Sequence, residues 1–177
     1  MKKSVKVAFG GIVSAIVCII MAASLIPNVT FAAPAVAGLM LIAVFAEAGA
    51  VYAAGGFIAS GILSFFISNK TSWLLFVLFF GFYPIVKPFI EKIKSPAVKW
   101  LAKFLLFNAS AVAVYLVGIL IMGVSIAKWA VITAFALGNI AFVLYDIAVS
   151  RVAVFYYLRI HERLSPIINK YEIKNRL

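Results

Sequence analysis

Between Val7 and Asn69 the sequence contains a single charged side chain, that of Glu47. A soluble protein cannot hide so long an apolar segment, because its core is too small to bury it. The bias runs through the whole chain, in which 66% of residues are hydrophobic and 12% are charged, against about 25% charged in ordinary soluble domains. The sequence therefore predicts an all-α integral membrane protein with a single helical bundle.

Six membrane spans are predicted from segment length, because a bilayer needs about 20 apolar residues per helix. Residues 31–68 are too long for one such helix. The apolar stretch of the first span is longer than that of a signal peptide, so we interpret it as a membrane helix. An interfacial cytoplasmic tail is expected at 151–177. The predicted spans are 5–25, 31–46, 50–68, 72–86, 100–122 and 129–150.

Positive charge supports this number of spans. The net charge is +11, and all 16 lysine and arginine residues except Lys70 and Lys128 fall on one side of the six-span arrangement. Because basic residues favour cytoplasmic loops, both termini are predicted to be cytoplasmic. The basic residues cluster beside apolar spans, which favours membrane lipid and not nucleic acid as their partner. We therefore expect a multi-pass protein of the cell membrane.

Residue types that perform catalysis or bind metals are scarce. The chain has one cysteine, Cys18, and one histidine, so neither a disulfide nor a cysteine or histidine metal cluster can form within it. It lacks the motifs of serine hydrolases, zinc proteases and phosphate-binding loops. We expect no catalytic residue, no metal and no cofactor, and predict that the protein is not an enzyme.

Polar residues inside apolar spans are costly in lipid and often functional. Asn108 and Asn139 are candidates either for hydrogen bonds between helices or for contact with a ligand. Asp146 lies about one turn from Arg151 and near the basic cluster. This position favours a structural ion pair over a proton relay.

Glu47 is interpreted as marking a cytoplasmic turn between two short helices. Gly49 would ease the reversal of the chain, because glycine adopts conformations closed to other residues. The alternatives are an ion site within the membrane and a contact with a coupling partner.

Small residues recur at four-residue spacing on two spans. The first span contains "AFGGIVSA" and the third contains "AAGGFIASG". This spacing lets helix backbones approach closely, which is a main source of cohesion in lipid. The pattern predicts either packing within the bundle or a docking face for another membrane subunit. On the first span the residues concerned are Gly10, Gly11, Ser14 and Ala15.

Together these features resemble the S components of energy-coupling-factor (ECF) transporters, which are small bacterial membrane proteins with six helices and a vitamin or related micronutrient as substrate. "GGIVSA" looks like the small residues by which the family's first helix docks on a coupling subunit. "EAGAVYAAGGFIASGILSFF" looks like its passage from the second to the third helix, and "LGNIAFVLYD" is similar to the Gly-Asn that often opens its last helix. The loop "IPNVTF" is shorter than the family's loop, which often covers the substrate.

The resemblance implies a substrate-capture subunit that binds a small, weakly polar molecule from the outer side and docks on a coupling subunit with its ATPases. Aromatic residues would supply stacking area, and asparagines would orient the ligand. Two alternatives stay open: a small ion-coupled carrier or channel using Glu47 and Asp146, and a membrane assembly subunit without a transport role. The expected substrate contacts are Asn28, Thr30, Trp73, Tyr115 and Asn139.

Overall fold

The computed structural model describes residues 3–122 and 128–161, and every regular element within them is a helix. The prediction of an all-α fold is therefore confirmed. A 3₁₀ turn follows α1, and π-helical turns follow α4 and α7 at Phe76–Phe80 and Tyr156–His161. The α-helices are α1 Lys3–Ala22, α2 Ala32–Ala48, α3 Ala50–Ile67, α4 Lys70–Leu75, α5 Tyr83–Ile90, α6 Pro96–Met122 and α7 Lys128–Phe155.

Five helical segments are long and apolar enough to cross a membrane. The sixth, α2, has 17 residues and is about 26 Å long, slightly short of a hydrocarbon layer of about 30 Å. The chain is thus a multi-pass membrane protein. The five longer segments are Lys3–Leu25, Ala50–Ile67, Lys70–Ile90, Pro96–Leu120 and Trp129–Arg159.

The break predicted near Glu47 and Gly49 is confirmed. Helix α2 ends at Ala48 and α3 begins at Ala50, so Gly49 alone separates them, with a φ of 93°. Glycine adopts this backbone conformation without the steric cost that a Cβ would bring. Glu47 therefore lies in the last turn of α2, immediately before a reversal made by one residue.

The fourth span continues beyond its predicted end at residue 86. A turn at 81–82 interrupts the helix, and α5 then restarts at Tyr83. Pro84 lies in the first turn of α5, where its missing N–H breaks no helical hydrogen bond. Pro88 lies within the same short helix. The restart carries Lys87 into the bundle, although the predicted fourth span ends one residue before it.

The last helix is also longer than predicted. Residues 151–155, expected to begin an interfacial tail, continue α7, and residues 156–161 form its π-helical end. The apolar run "VAVFYYL" keeps this segment compatible with the bundle. The remainder of the predicted tail, 162–177, lies outside the described residues.

Side-chain contacts show which loops share an end of the bundle. At one end, which we call the basic end, Tyr156 donates to Glu47 Oε1 at 3.0 Å and the rings of Phe45 and Phe89 meet edge to face. The start of α1, the α2–α3 turn, the α5–α6 loop and the end of α7 lie here. At the opposite far end, the Asn69 amide donates to Ser24 Oγ at 3.0 Å.

Two apolar clusters form the core. One joins α1, α2 and α3 around Val17 and Leu41. The other is aromatic and joins the fourth span to α6 and α7, with Phe142 stacked on Phe107 at 4.9 Å between ring centroids. Tyr83 is fully buried in this second cluster. The aromatic cluster lies directly beside the charged residues described next.

Candidate functional site

Five charged side chains from α5, α6, α7 and the α5–α6 loop form a continuous ionic cluster at the basic end. Asp146 forms one ion pair with Lys87 at 2.5 Å and another with Lys103 at 3.0 Å. Lys103 also binds Glu91 at 2.5 Å, and Lys99 binds the other oxygen of Glu91 at 3.1 Å. The members of the ionic cluster are Lys87, Glu91, Lys99, Lys103 and Asp146.

Helix spacing explains how two elements meet at Asp146. Tyr83 and Lys87 are four residues apart on one face of α5, and both contact Asp146, the tyrosine hydroxyl donating at 2.5 Å. Ser150 lies four residues after Asp146 on α7 and accepts from Lys87 at 2.6 Å. Lys87 also donates to the Asp146 carbonyl. Every polar group at this junction therefore has a partner.

The interior of the cluster is closed to solvent, whereas its edge is open. Lys87, Lys103 and Asp146 are each no more than 4% exposed, and charges so deeply buried are tolerated only when paired. The Glu91 side chain is 40% exposed. The pKa of Glu91 is lowered, chiefly by the hydrogen bond from Lys103. The hydrogen bond from Lys99 lowers this pKa further, whereas partial desolvation of the carboxylate opposes the shift. Three lysines against two carboxylates leave one excess positive charge.

Asp146 forms an ion pair, as expected, but its partners are Lys87 and Lys103 and not the expected neighbour Arg151. Arg151 is exposed and forms no salt bridge with the described residues. The sequence did not reveal Lys87 and Lys103 as partners, because they lie 59 and 43 residues away along the chain. The one available signal was the Tyr83-x-x-x-Lys87 spacing, which puts a hydroxyl and a cation on the same helix face.

A cleft of ≈310 Å³ lies beside the ionic cluster, between α2, α5 and α7. Its walls are mainly apolar, and Lys87, Glu91, Ser150 and Tyr157 also line it. The sequence did not predict this cleft, since its three walls come from distant segments. The apolar residues that line it are Ile42, Phe45, Pro84, Pro88, Val149, Ala153 and Val154.

Two of the predicted substrate contacts, Trp73 and Asn139, use their polar groups in hydrogen bonds within the bundle. Trp73 donates its indole N–H to the Gly61 carbonyl at 2.8 Å and packs on Phe65. Asn139 exchanges amide hydrogen bonds with Asn108, at 3.0 and 3.2 Å, and also donates to the Phe135 carbonyl. The structural alternative for the two asparagines is therefore present in the fold.

The other three predicted contacts form no side-chain hydrogen bond within the described part of the chain. Asn28 is exposed, with a φ of 71° that asparagine tolerates better than most residues. Thr30 is half-buried, and its carbonyl accepts from Ser72 at 2.7 Å. Tyr115 is half-buried on the far part of α6. The first two are close in sequence, but no described contact joins Tyr115 to them.

The four predicted docking residues of α1 divide into two faces. Gly10 and Ser14 are buried, and the Ser14 hydroxyl donates to the Gly10 carbonyl at 2.8 Å and to the Gly56 carbonyl of α3 at 3.3 Å. These two residues pack α1 on α3, and because they are buried they are not accessible to a partner subunit. Gly11 and Ala15 are exposed, and a Cβ on Gly11 would meet nothing within 4 Å.

Helix α3 carries a matching pair of exposed small residues. Gly55 and Ala59 are exposed, and they precede by one position the buried residues Gly56 and Ser60, of which Gly56 lies against Ser14 of α1. Gly11 and Ala15 instead follow their inward-facing neighbours by one position. Because α1 and α3 run in the same direction, the two offsets turn both pairs toward the same side of the helix contact. We call these four residues the small-residue surface.

Glu47 is a half-buried partner of Tyr156 and thereby links α2 to the end of α7. This tie agrees with its interpretation as a residue of the helix turn. Among the described residues no group of three metal-ligating side chains comes together. No family model, curated protein or solved structure matches the chain.

Proposed function

We propose that this chain is the substrate-capture subunit of an ECF-type uptake transporter in a bacterial cell membrane, binding a small, weakly polar micronutrient from the outer side. The observation that carries the proposal is the small-residue surface. Glycine and alanine on two adjacent helices leave a flat, exposed backbone face, and such faces favour close helix–helix association in lipid. A coupling subunit with ATPase partners would dock there.

Affinity purification from the native host tests this docking. The wild-type chain is expected to recover a second membrane protein and ATPase subunits. The double variant Gly11→Leu/Gly55→Leu should lose both, because two bulky side chains hold the backbones apart. Ala141→Leu is the matched control, since Ala141 is exposed on α7 and does not belong to the small-residue surface. Recovery of the wild type alone, under conditions that preserve such complexes, would contradict the proposal.

Substrate capture is tested separately by ligand-dependent thermal stabilisation. A ligand that binds only the folded chain raises its unfolding temperature by mass action. A panel of vitamins and related micronutrients should contain a compound that stabilises the wild type. Its effect should fall in Tyr115→Phe if the hydroxyl is the polar contact, while the neighbouring Leu116→Phe should keep it. Absence of any stabilising compound favours an assembly subunit without a small ligand.

A second candidate, an ion-coupled carrier, is favoured by the burial of Asp146 and Lys87 within a membrane-spanning region. It requires that the purified chain alone produce pH-dependent flux in liposomes. Glu47→Gln should reduce that flux if the carboxylate takes part. Liposomes with no flux would remove this candidate and leave the first unaffected.

A further inference from the structure

The cleft between α2, α5 and α7 has a lining that suits an apolar ligand. Its walls are mostly aliphatic and aromatic, and the charges that line it are already engaged. The ammonium group of Lys87 contacts the Asp146 carboxylate, the Asp146 carbonyl and Ser150 Oγ. Both oxygens of Glu91 are held by lysines of the ionic cluster. A ligand lying in the cleft therefore gains mainly by burying apolar surface.

Positive charge adjoins the cleft on two sides. The Lys92 ammonium lies 5.2 Å from the centroid of the Phe89 ring, which in turn meets the ring of the lining residue Phe45. Arg151 lies three residues before the lining residue Val154, so the two are neighbours on the surface of α7. Both cations are exposed and form no salt bridge with the described residues. The neighbouring ionic cluster adds one further excess positive charge. The surroundings of the cleft therefore favour an anion.

The cleft also lies where a lipid is the nearest available ligand. It opens at the basic end of a membrane bundle, so its apolar walls are within reach of acyl chains and its cations are within reach of headgroups. We propose that the cleft binds an acidic phospholipid, with one acyl chain between α2, α5 and α7 and the phosphate beside Lys92 and Arg151.

Lipid titration of the purified full chain in mild detergent, followed by native mass spectrometry, tests the proposal. The probes are phosphatidylglycerol and phosphatidylcholine with identical acyl chains. The wild type should bind phosphatidylglycerol more tightly by about fivefold or more, as expected when even one cation contacts the headgroup. Equal affinity for the two lipids would overturn the proposal.

Two sets of variants locate the lipid. Ala153→Trp fills the cleft and should weaken phosphatidylglycerol binding by about tenfold through lost apolar burial. Ala141→Trp adds the same bulk on an exposed part of α7 and should leave it unchanged. Equal affinities of these two variants would place the lipid elsewhere and overturn the proposal.

The charge variant keeps the test decisive if Ala153→Trp does not fold. Lys92→Gln/Arg151→Gln removes two exposed cations and no buried contact. It should remove the wild-type preference for phosphatidylglycerol and leave the two lipids with nearly equal affinity. A preference equal to that of the wild type would overturn the assignment of the headgroup to these cations.

Discussion

Helices α6 and α7 are joined by two polar links of different kinds. Toward the basic end, Lys103 binds Asp146 inside an ionic cluster that also involves α5. Farther along, Asn108 and Asn139 satisfy each other with two amide hydrogen bonds. The first link belongs to a network of five charges, whereas the second is a closed pair. The comparison indicates that cohesion between α7 and the bundle is concentrated at the basic end.

Burial along the same two helices supports this difference. Phe142, Tyr145, Asp146 and Val149 of α7 are buried toward the basic end. Within the described residues 109–120 and 129–138, Ser110 alone is buried. The far halves of both helices therefore depend on lipid, or on a partner, to cover their apolar faces.

The largest effect is expected from Asp146→Asn. The substitution keeps the shape of the side chain but leaves Lys87 and Lys103 buried without their shared counter-charge. Breaking a buried ion pair in this way costs about 3–5 kcal/mol. The free energy of unfolding, measured by titration of detergent micelles with dodecyl sulfate, should fall by that amount. Arg151→Gln, at an exposed neighbouring position, is the control, and equal stability of the two variants would refute the structural role of the cluster.

The next effect contrasts two glycines. A Cβ on Gly38 of α2 would overlap the Phe80 carbonyl and lie 2.7 Å from the Tyr145 hydroxyl, where α7 packs on the bundle. Overpacking of this kind costs about 1–3 kcal/mol or more. A Cβ on Gly118, in the far half of α6, would meet nothing within 4 Å. The same unfolding assay should show a loss for Gly38→Ala and no loss for Gly118→Ala; equal losses would mean that the far half is also closely packed.

Much of this architecture follows from composition and local chemistry. Apolar length predicts the spans, Gly49 predicts the reversal, and the basic residues predict which loops share an end. Asp146 was recognisable as a paired charge, but its partners depend on how the chain restarts at Tyr83. No local pattern encodes that restart, because it depends on the turn at 81–82 and on packing against α7.

The small-residue surface illustrates a different limit of prediction from sequence. Gly10 with Ser14 and Gly11 with Ala15 have the same four-residue spacing, so the pattern cannot say which pair faces inward. The position of α3 decides, since Gly56 approaches Ser14. The cleft was likewise unpredictable, because its walls come from three helices that are distant in sequence.

A smaller effect is expected at the asparagine pair. Asn108→Leu or Asn139→Leu leaves one amide without its partner across the helices. Interhelical hydrogen bonds in membranes contribute about 0.6 kcal/mol on average and up to about 1.7 kcal/mol. The free energy of unfolding of each single variant should therefore fall by an amount within that range. The double variant Asn108→Leu/Asn139→Leu should recover part of the loss. A double variant that loses the sum of both would show that the amides act independently.

The smallest effect concerns the exposed edge of the ionic cluster. The pKa of Glu91 is lowered in the folded chain, chiefly by the hydrogen bond from Lys103. A lowered folded pKa means that the unfolded chain binds the proton first as pH falls. The stabilisation from Glu91 is therefore complete above the unfolded pKa of about 4.3 and is lost as pH falls through the lower folded value. Because the carboxylate is partly exposed, the contribution should stay below about 1 kcal/mol. Thermal unfolding of the wild type and Glu91→Gln between neutral and acidic pH should show curves that converge at low pH, and a constant separation would contradict the ionic origin of the effect.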